Sequence, residues 1–303
     1  MASVDLWRHF ERHHGIISRA EAKALACTDG QISRRLRSGE WIRLAPGVYR
    51  HAGTEFTWFG KARAEAISAG GLISHRSAAV VWGIDGHRPG RIEVVVPRGR
   101  VVRRPSSRVH ESTQFDRVER TVRQGIPVTG VARTVLDVAA VVGRRRLEWT
   151  IDAVLRQRML DWPDLYDVLV RHSRRGRDGC GRLRALLDVR FGDTAIPDSK
   201  WNRLVANLLA DADLPMPELE FSVHDGGEFV ARVDLAYPYR KVAIELDSAR
   251  FHLNRESFEA DPRRKNRLSV LGWTVLTFTW SDYVDHPSTL CDTVRAAAFP
   301  KLR

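Results

Sequence analysis

Two capping signatures stand close together near the start of the chain, Ser18-Arg-Ala-Glu21 and Thr28-Asp-Gly-Gln31. In each, the hydroxyl takes the amide three residues on while the Glu or Gln side chain reaches back, so each marks the start of a helix. Helices that begin this near one another can be joined only by a tight turn. Ahead of them, Val4–Phe10 reads as a helix with Leu6 and Phe10 on one face, ended at Gly15. The second box opens a helix over Gln31–Ser38 that turns Ile32 and Leu36 inward and leaves Gln31, Ser33, Arg34, Arg35 and Arg37 polar, and Gly39 stops it. Trp41–Leu44 and Val48–Arg50 then form two strands around Ala45-Pro-Gly47. Two capped helices followed by a hairpin describe a winged helix-turn-helix, whose second helix enters the major groove of DNA. Gln31, Ser33, Arg34 and Arg37 are the expected groove or phosphate contacts, with Arg43 and Arg50 near the wing. The plainer alternative is a solvated face of an amphipathic helix.

The stretch from Gly15-Ile-Ile-Ser-Arg-Ala-Glu21 to Leu44-Ala-Pro-Gly-Val-Tyr49 resembles the N-terminal domain of AbiEi-type antitoxins. That resemblance implies a winged helix that represses its own operon and a partner toxin of the nucleotidyltransferase type. Charge agrees with a polyanionic partner: residues 1–200 hold 36 Lys and Arg against 22 Asp and Glu, whereas residues 201–303 hold 13 against 15. Cations of this kind supply most of the sequence-independent affinity for nucleic acid. Forty-three of the 49 cations are Arg, and a GC-rich genome enriches Arg without any ligand. No stretch approaches the roughly 18 apolar residues of a membrane span. The start lacks the apolar segment of a secretory signal, and Cys27, Cys180 and Cys291 contain no CxxC pair. A reducing cytoplasm, with no membrane partner, is the expected setting.

From residue 54 to 195 the pattern mixes helices with strands. Phe59–Ala69 and Ser74–Trp82, the latter expected to be capped by Ser74, read as helices, and Ile92–Val96 as a strand. Further helices are expected at Gly130–Ala139, Leu147–Met159 and Asp164–His172. Ser74, His75 and Asp137 carry the residue types of a hydrolase triad, yet no nucleophile elbow accompanies them. A His beside a helix cap reads as structural, and the segment as an interaction or scaffold domain. Ser74-His-Arg-Ser-Ala-Ala79, Gly125-Ile-Pro-Val128 and Ala132-Arg-Thr-Val-Leu-Asp137 extend the resemblance to AbiEi-type antitoxins over roughly the first 190 residues.

After a linker at 195–199, a helix over Lys200–Ala212 leads to two apolar strands, Phe229–Ala236 and Lys241–Asp247. Alternation places Asp234 on one face of the first and Glu245 and Asp247 on one face of the second. Carboxylates in apolar strands need a partner, because an unpaired buried charge is costly. A divalent cation is one such partner, and it could activate water for phosphodiester hydrolysis. Neutralisation by Arg232 or Arg250, or an exposed sheet face, is the other explanation. Val233-Asp234, Ile244-Glu-Leu-Asp247, Phe251-His252, Asp261-Pro-Arg-Arg264 and Leu268–Leu276 together resemble very-short-patch-repair endonucleases and their relatives in the PD-(D/E)XK superfamily.

That resemblance implies Asp234 and Glu245 as ligands of Mg2+ or Mn2+. Asp247, His252 and Lys265 would be further catalytic residues. Asp247 stands where the superfamily places a lysine, and Asn202 where relatives often carry a glutamate. The expected class is α/β and multi-domain: a winged helix at 1–53, a mixed α/β middle at 54–195, and a restriction-endonuclease-like sheet flanked by helices at 196–303. Two readings stand at this level. The acid pair favours a DNA-binding, metal-dependent endonuclease acting in defence or repair. Asn202 and the missing lysine favour a non-enzymatic, antitoxin-like repressor.

Overall fold

The computed structural model describes residues 2–102, 106–115, 120–172, 177–191, 196–247 and 264–300. The chain divides into two compact units, residues 1–161 with 174–183, and residues 162–173 with 184–303. Its class is mixed α/β, with helices around three-, five- and four-stranded sheets.

The first unit opens with α1 (Ala2–Arg12), β1 (Ile16–Ser18), α2 (Arg19–Ala24), α3 (Asp29–Arg37), β2 (Trp41–Ala45) and β3 (Val48–His51). Both capping boxes form. Glu21 N donates to Ser18 Oγ at 3.1 Å and Ser18 N to Glu21 Oε2 at 2.8 Å. Gln31 N donates to Thr28 Oγ1 at 3.2 Å and Thr28 N to Gln31 Oε1 at 2.8 Å. Helix α3 therefore starts at Asp29, ahead of the expected Gln31, because the residue after the cap is the first helical one. Strand β1 was not expected. It is too short to carry a propensity signal and exists by pairing antiparallel with β3, Ile17 opposite Tyr49, in a sheet ordered β1-β3-β2. Leu6, Phe10, Ile17, Ala22, Ile32, Trp41 and Tyr49 make the core, with the Phe10 ring edge-on to Trp41 at 5.6 Å. Gly15, at φ +74°, lies so close to Thr54 that a Cβ there would overlap its hydroxyl.

The same unit continues with α4 (Trp58–Ala69), β4 (Leu72–Ile73), α5 (His75–Trp82), β5 (Glu93–Pro97), β6 (Arg108–Ser112), β7 (Arg120–Arg123), β8 (Ile126–Thr129), α6 (Val131–Val141) and α7 (Arg144–Arg156). The sheet order is β6-β5-β4-β8-β7. Ala62, Ala66 and Ala69 of α4 let that helix lie close to Ile73, Val94, Val96, Ile126 and Val128 of the sheet. Ser74 occupies the N-cap position of α5 but makes no side-chain cap, contrary to expectation. Its hydroxyl lies 2.9 Å from His75 Nδ1 instead.

One buried cation joins these two parts of the unit. Arg63 of α4 is 3% exposed. Its guanidinium donates to Glu21 Oε1 and to the Gly125 carbonyl in the β7–β8 turn. Glu21 thus caps α2 with one oxygen and neutralises Arg63 with the other. Burial pushes the Glu21 carboxyl up, but the Ser18 amide and the Arg63 charge outweigh it and hold the group below its ordinary value.

The second unit contains α8 (Trp162–His172), α10 (Asp198–Asp211), β9 (Glu218–Asp225), β10 (Glu228–Tyr237), β11 (Val242–Asp247), α11 (264–270), β12 (Thr274–Thr279), α12 (Trp280–Asp285) and α13 (Pro287–Ala298), with α9 (Cys180–Phe191) crossing from the first unit to the second. The sheet runs β12-β11-β10-β9, antiparallel except for the parallel pair β11 and β12. Strand β9 escaped the sequence reading because it is a largely exposed edge with no clean apolar alternation. Trp201 and Tyr283 are fully buried beside Trp280, at ring distances of 5.0 and 5.2 Å. The Tyr283 hydroxyl donates to Asp167 Oδ1 at 2.6 Å.

Two outcomes follow for stability. Glu21→Gln should cost about 3 kcal/mol, since it strips a buried guanidinium of its counter-charge. Ser18→Ala should cost only about 1 kcal/mol, the value of a cap. Urea unfolding of both variants checks this, and equal costs would mean that Arg63 does not depend on Glu21. Burial also holds His9, His75 and His87 at pKa values of about 4, below the ordinary 6.5. As pH falls from 6.5 toward 4 the unfolded chain takes up these protons and the folded one does not, so stability should drop through that window. Unfolding midpoints measured across it should fall steadily, and a flat profile would contradict the burial of these rings.

Candidate nucleic-acid interface

Helix α3 presents its polar side to solvent because Ile32 is buried and Leu36 half-buried beneath it. Gln31, Ser33, Arg34 and Arg37 are all exposed. Ser33 and Arg37 lie four apart, and Gln31 and Arg34 three apart, so the four residues form neighbouring rows on one surface. Gln31 Oε1 accepts from the Thr28 amide, which leaves the Gln31 NH2 group to face outward. The one acid in the first turn, Asp29, is covered by Arg19 Nη2 at 2.9 Å and Lys23 Nζ at 2.8 Å. Its hydrogen bond from Lys23 holds it below its usual range. The surface stays positive for that reason.

The arginines of this segment do not share one role. Arg34, Arg37 and Arg43 are exposed and have no ion-pair partner among the described residues. Arg35 is turned aside, donating to Glu40 at 3.1 Å and lying 5.5 Å from the Trp41 ring. Arg50 is half-buried and donates to the Thr54 carbonyl at 2.6 Å, with its guanidinium 5.2 Å from the Phe56 ring. The structure therefore groups Gln31, Ser33, Arg34 and Arg37 on α3, leaves Arg43 free on β2, and commits Arg50 to the body of the unit. Guanidiniums without internal partners are the ones available to phosphates or to base edges.

In the second unit the register sets Ala236 of β10 opposite Ala243 of β11. Asp234, two residues before Ala236, and Glu245, two residues after Ala243, share that face of the antiparallel pair. One oxygen of each is engaged within the protein. Asp234 Oδ2 accepts from the Leu246 amide at 2.8 Å. Glu245 Oε2 accepts from Arg264 Nη2 at 3.1 Å. Burial raises the Asp234 carboxyl above its ordinary range, and the nearby Asp198 adds to that despite the Leu246 amide. Asp247 is exposed at the end of β11, Lys265 is half-buried on α11, and His252 lies outside the described residues. Lys241 donates to the Leu271 carbonyl at 3.0 Å, and Asn202 is buried on α10.

Among the described residues no group of three His, Cys, Asp or Glu side chains is placed to hold a metal ion. The Leu246 amide and the Arg264 guanidinium each hold one of the carboxylate oxygens that Mg2+ or Mn2+ would take together with water. The cation beside Glu245 is Arg264, not the Arg232 or Arg250 expected from the sequence. Arg232 pairs with Glu220 across the β9–β10 hairpin, and Arg250 lies outside the described residues. No helix among the described residues is long and apolar enough to cross a membrane.

Comparison with known proteins adds family information to this geometry. Residues 6–51 match the family model described as a transcriptional regulator, AbiEi antitoxin. Residues 69–189 match that of the AbiEi antitoxin C-terminal domain. Two uncharacterized proteins of Mycobacterium tuberculosis are each 32% identical over 118 residues: MT2308 of strain CDC 1551 / Oshkosh and Rv2248 of strain ATCC 25618 / H37Rv. The match covers 39% of this chain and 42% of theirs, so the chain spans less than half the length of these relatives. The crystal structure of the RV2827C protein from Mycobacterium tuberculosis is similar at a TM-score of 0.30 and 17% identity, over 71% of this chain and 78% of that one.

The carboxylate geometry yields a direct check. Asp234→Ala should destabilise the protein by about 1–2 kcal/mol by orphaning the Leu246 amide. Asp234→Asn keeps an acceptor in place and should cost less. Thermal unfolding separates the two, and an equal or larger loss in the Asn variant would mean that the charge itself is needed there.

Proposed function

We propose, from the premise that residues 6–51 and 69–189 of this chain are AbiEi antitoxin domains, that the protein is a DNA-binding, antitoxin-type regulator of its own operon. It would act in the cytoplasm, beside a toxin of the nucleotidyltransferase type. The observation that carries the DNA-binding part is the exposed α3 surface. There, Arg34 and Arg37 stand without internal partners on the second helix of a helix-turn-helix, with Arg43 free on the adjacent hairpin. A helix so placed docks in the major groove with its polar side on base edges and phosphates. The excess of cations over residues 1–200 strengthens encounter with DNA. The toxin part rests on the family alone.

The second unit is read as non-catalytic, because Glu245 is matched by Arg264 and Asp234 by a backbone amide. Metal-dependent nicking of supercoiled plasmid, lost in both Asp234→Ala and Glu245→Ala, would replace this reading with that of an endonuclease.

The test is gel-shift titration of DNA from upstream of the gene against unrelated DNA over a salt series. Arg34→Ala and Arg37→Ala should each weaken binding, by about 1–3 kcal/mol for a base contact. A phosphate contact would instead lower the salt slope by about one. Wild-type affinity in the double variant would remove α3 from the interface. Co-expression with a neighbouring nucleotidyltransferase gene addresses the partner: growth arrest relieved by this chain supports it.

A further inference from the structure

A second constellation lies in the first unit, away from α3. A cavity of about 820 Å³ opens between β6 and α6, with Arg108, His110, Arg133, Asp137 and Arg177 among its lining residues and His75 in its wall. The volume falls within the range of small-ligand sites, roughly 300–1,000 Å³. The His75 and His110 rings stack at 3.6 Å and 17°, which makes a flat aromatic wall. His75 holds this position at φ +52°, a left-handed conformation that a side chain adopts only when its surroundings impose it.

The floor carries both a donor and an acceptor without partners. Arg133 is 2% exposed and Asp137 4%. Arg133 Nε donates to Asp137 Oδ1 at 2.8 Å, and Arg177 Nη2 reaches the same oxygen at 3.5 Å. Among the described residues, Arg133 Nη1 and Asp137 Oδ2 are buried with no hydrogen-bond partner. Leaving such groups unmet costs about 1–3 kcal/mol each, which a ligand bonded to both would recover. At the mouth, Arg108 is exposed and has no ion-pair partner among the described residues.

We propose that this cavity binds a small phosphate-bearing ligand, with Arg133, Arg177 and Arg108 around the oxyanion and Asp137 Oδ2 accepting a hydrogen bond from the ligand itself. Four guanidiniums, Arg98 included, face three carboxylates, Asp137, Glu111 and Asp178, and that excess of cations selects an anion with several oxygens. The open carboxylate oxygen selects one that also carries an O–H, as hydrogen phosphate does on its own oxygen and a sugar phosphate does on a neighbouring hydroxyl. Sulfate offers no such donor and would face Asp137 with a bare charge. The cavity is larger than free phosphate needs, and the histidine wall suits a ring beside the phosphate.

Calorimetric titration of the full chain with inorganic phosphate, AMP and sulfate tests this, with thermal unfolding as a second readout. Phosphate or AMP should bind saturably at one site, with sulfate roughly tenfold weaker. Tighter binding of AMP assigns the site to a monoester, and equal binding assigns it to free phosphate. Arg108→Ala, on the surface and safe for folding, should weaken the phosphate ligands about tenfold, and Asp137→Asn should narrow the gap to sulfate. No saturable binding of phosphate or AMP overturns the proposal. So does sulfate binding as well as phosphate with Arg108→Ala unchanged, since that is the behaviour of diffuse positive charge.

Discussion

A guanidinium with almost no access to water needs a full negative charge and a carbonyl to offset its desolvation. Arg63 finds both, in Glu21 and in the Gly125 carbonyl. Each partner belongs to a different piece of the first unit. Glu21 caps the helix that precedes α3, and Gly125 turns the chain between β7 and β8, close enough to α1 that a Cβ there would strike the Arg12 carbonyl and the His13 ring. The placement of α3 is therefore coupled to the five-stranded sheet through Arg63 and its two partners. Apolar packing joins the same parts, with Ile16 and Val48 of the winged helix against Ala64 of α4.

The positive surface on α3 depends on which arginines the fold consumes. Arg63, Arg35 and Arg50 are spent on Glu21, Glu40 and the Thr54 carbonyl. Arg34, Arg37 and Arg43 are not, and an uncompensated exposed cation contributes nothing to folding that would explain its place. In the second unit the same accounting runs the other way. There Arg264 holds one oxygen of Glu245, and the Leu246 amide one oxygen of Asp234.

Local signals carried much of the fold. The two capping boxes, the inward pairs Leu6/Phe10 and Ile32/Leu36, and the alternation in β10 and β11 each act within a few residues, so they are visible without knowing the path of the chain. Strands β1 and β9 were not legible, because a three-residue strand and an exposed edge exist only through their neighbours. Ser74 misled as a cap because its spacing matched one, while its hydroxyl had a nearer partner in His75.

The sequence by itself determined the two capping boxes, the basic character of the first two-thirds and the exposure of Gln31, Ser33, Arg34 and Arg37 on α3. Only the tertiary structure decided which charges are matched. Arg63 meets Glu21 across 42 positions and Arg264 meets Glu245 across 19. The cavity floored by Arg133 and Asp137 needs a helix and a strand brought together from separate parts of the chain. Caps and periodicity are short-range consequences of backbone geometry. The pairing of buried charges depends on where distant segments come to rest, and that is set by packing of the whole unit.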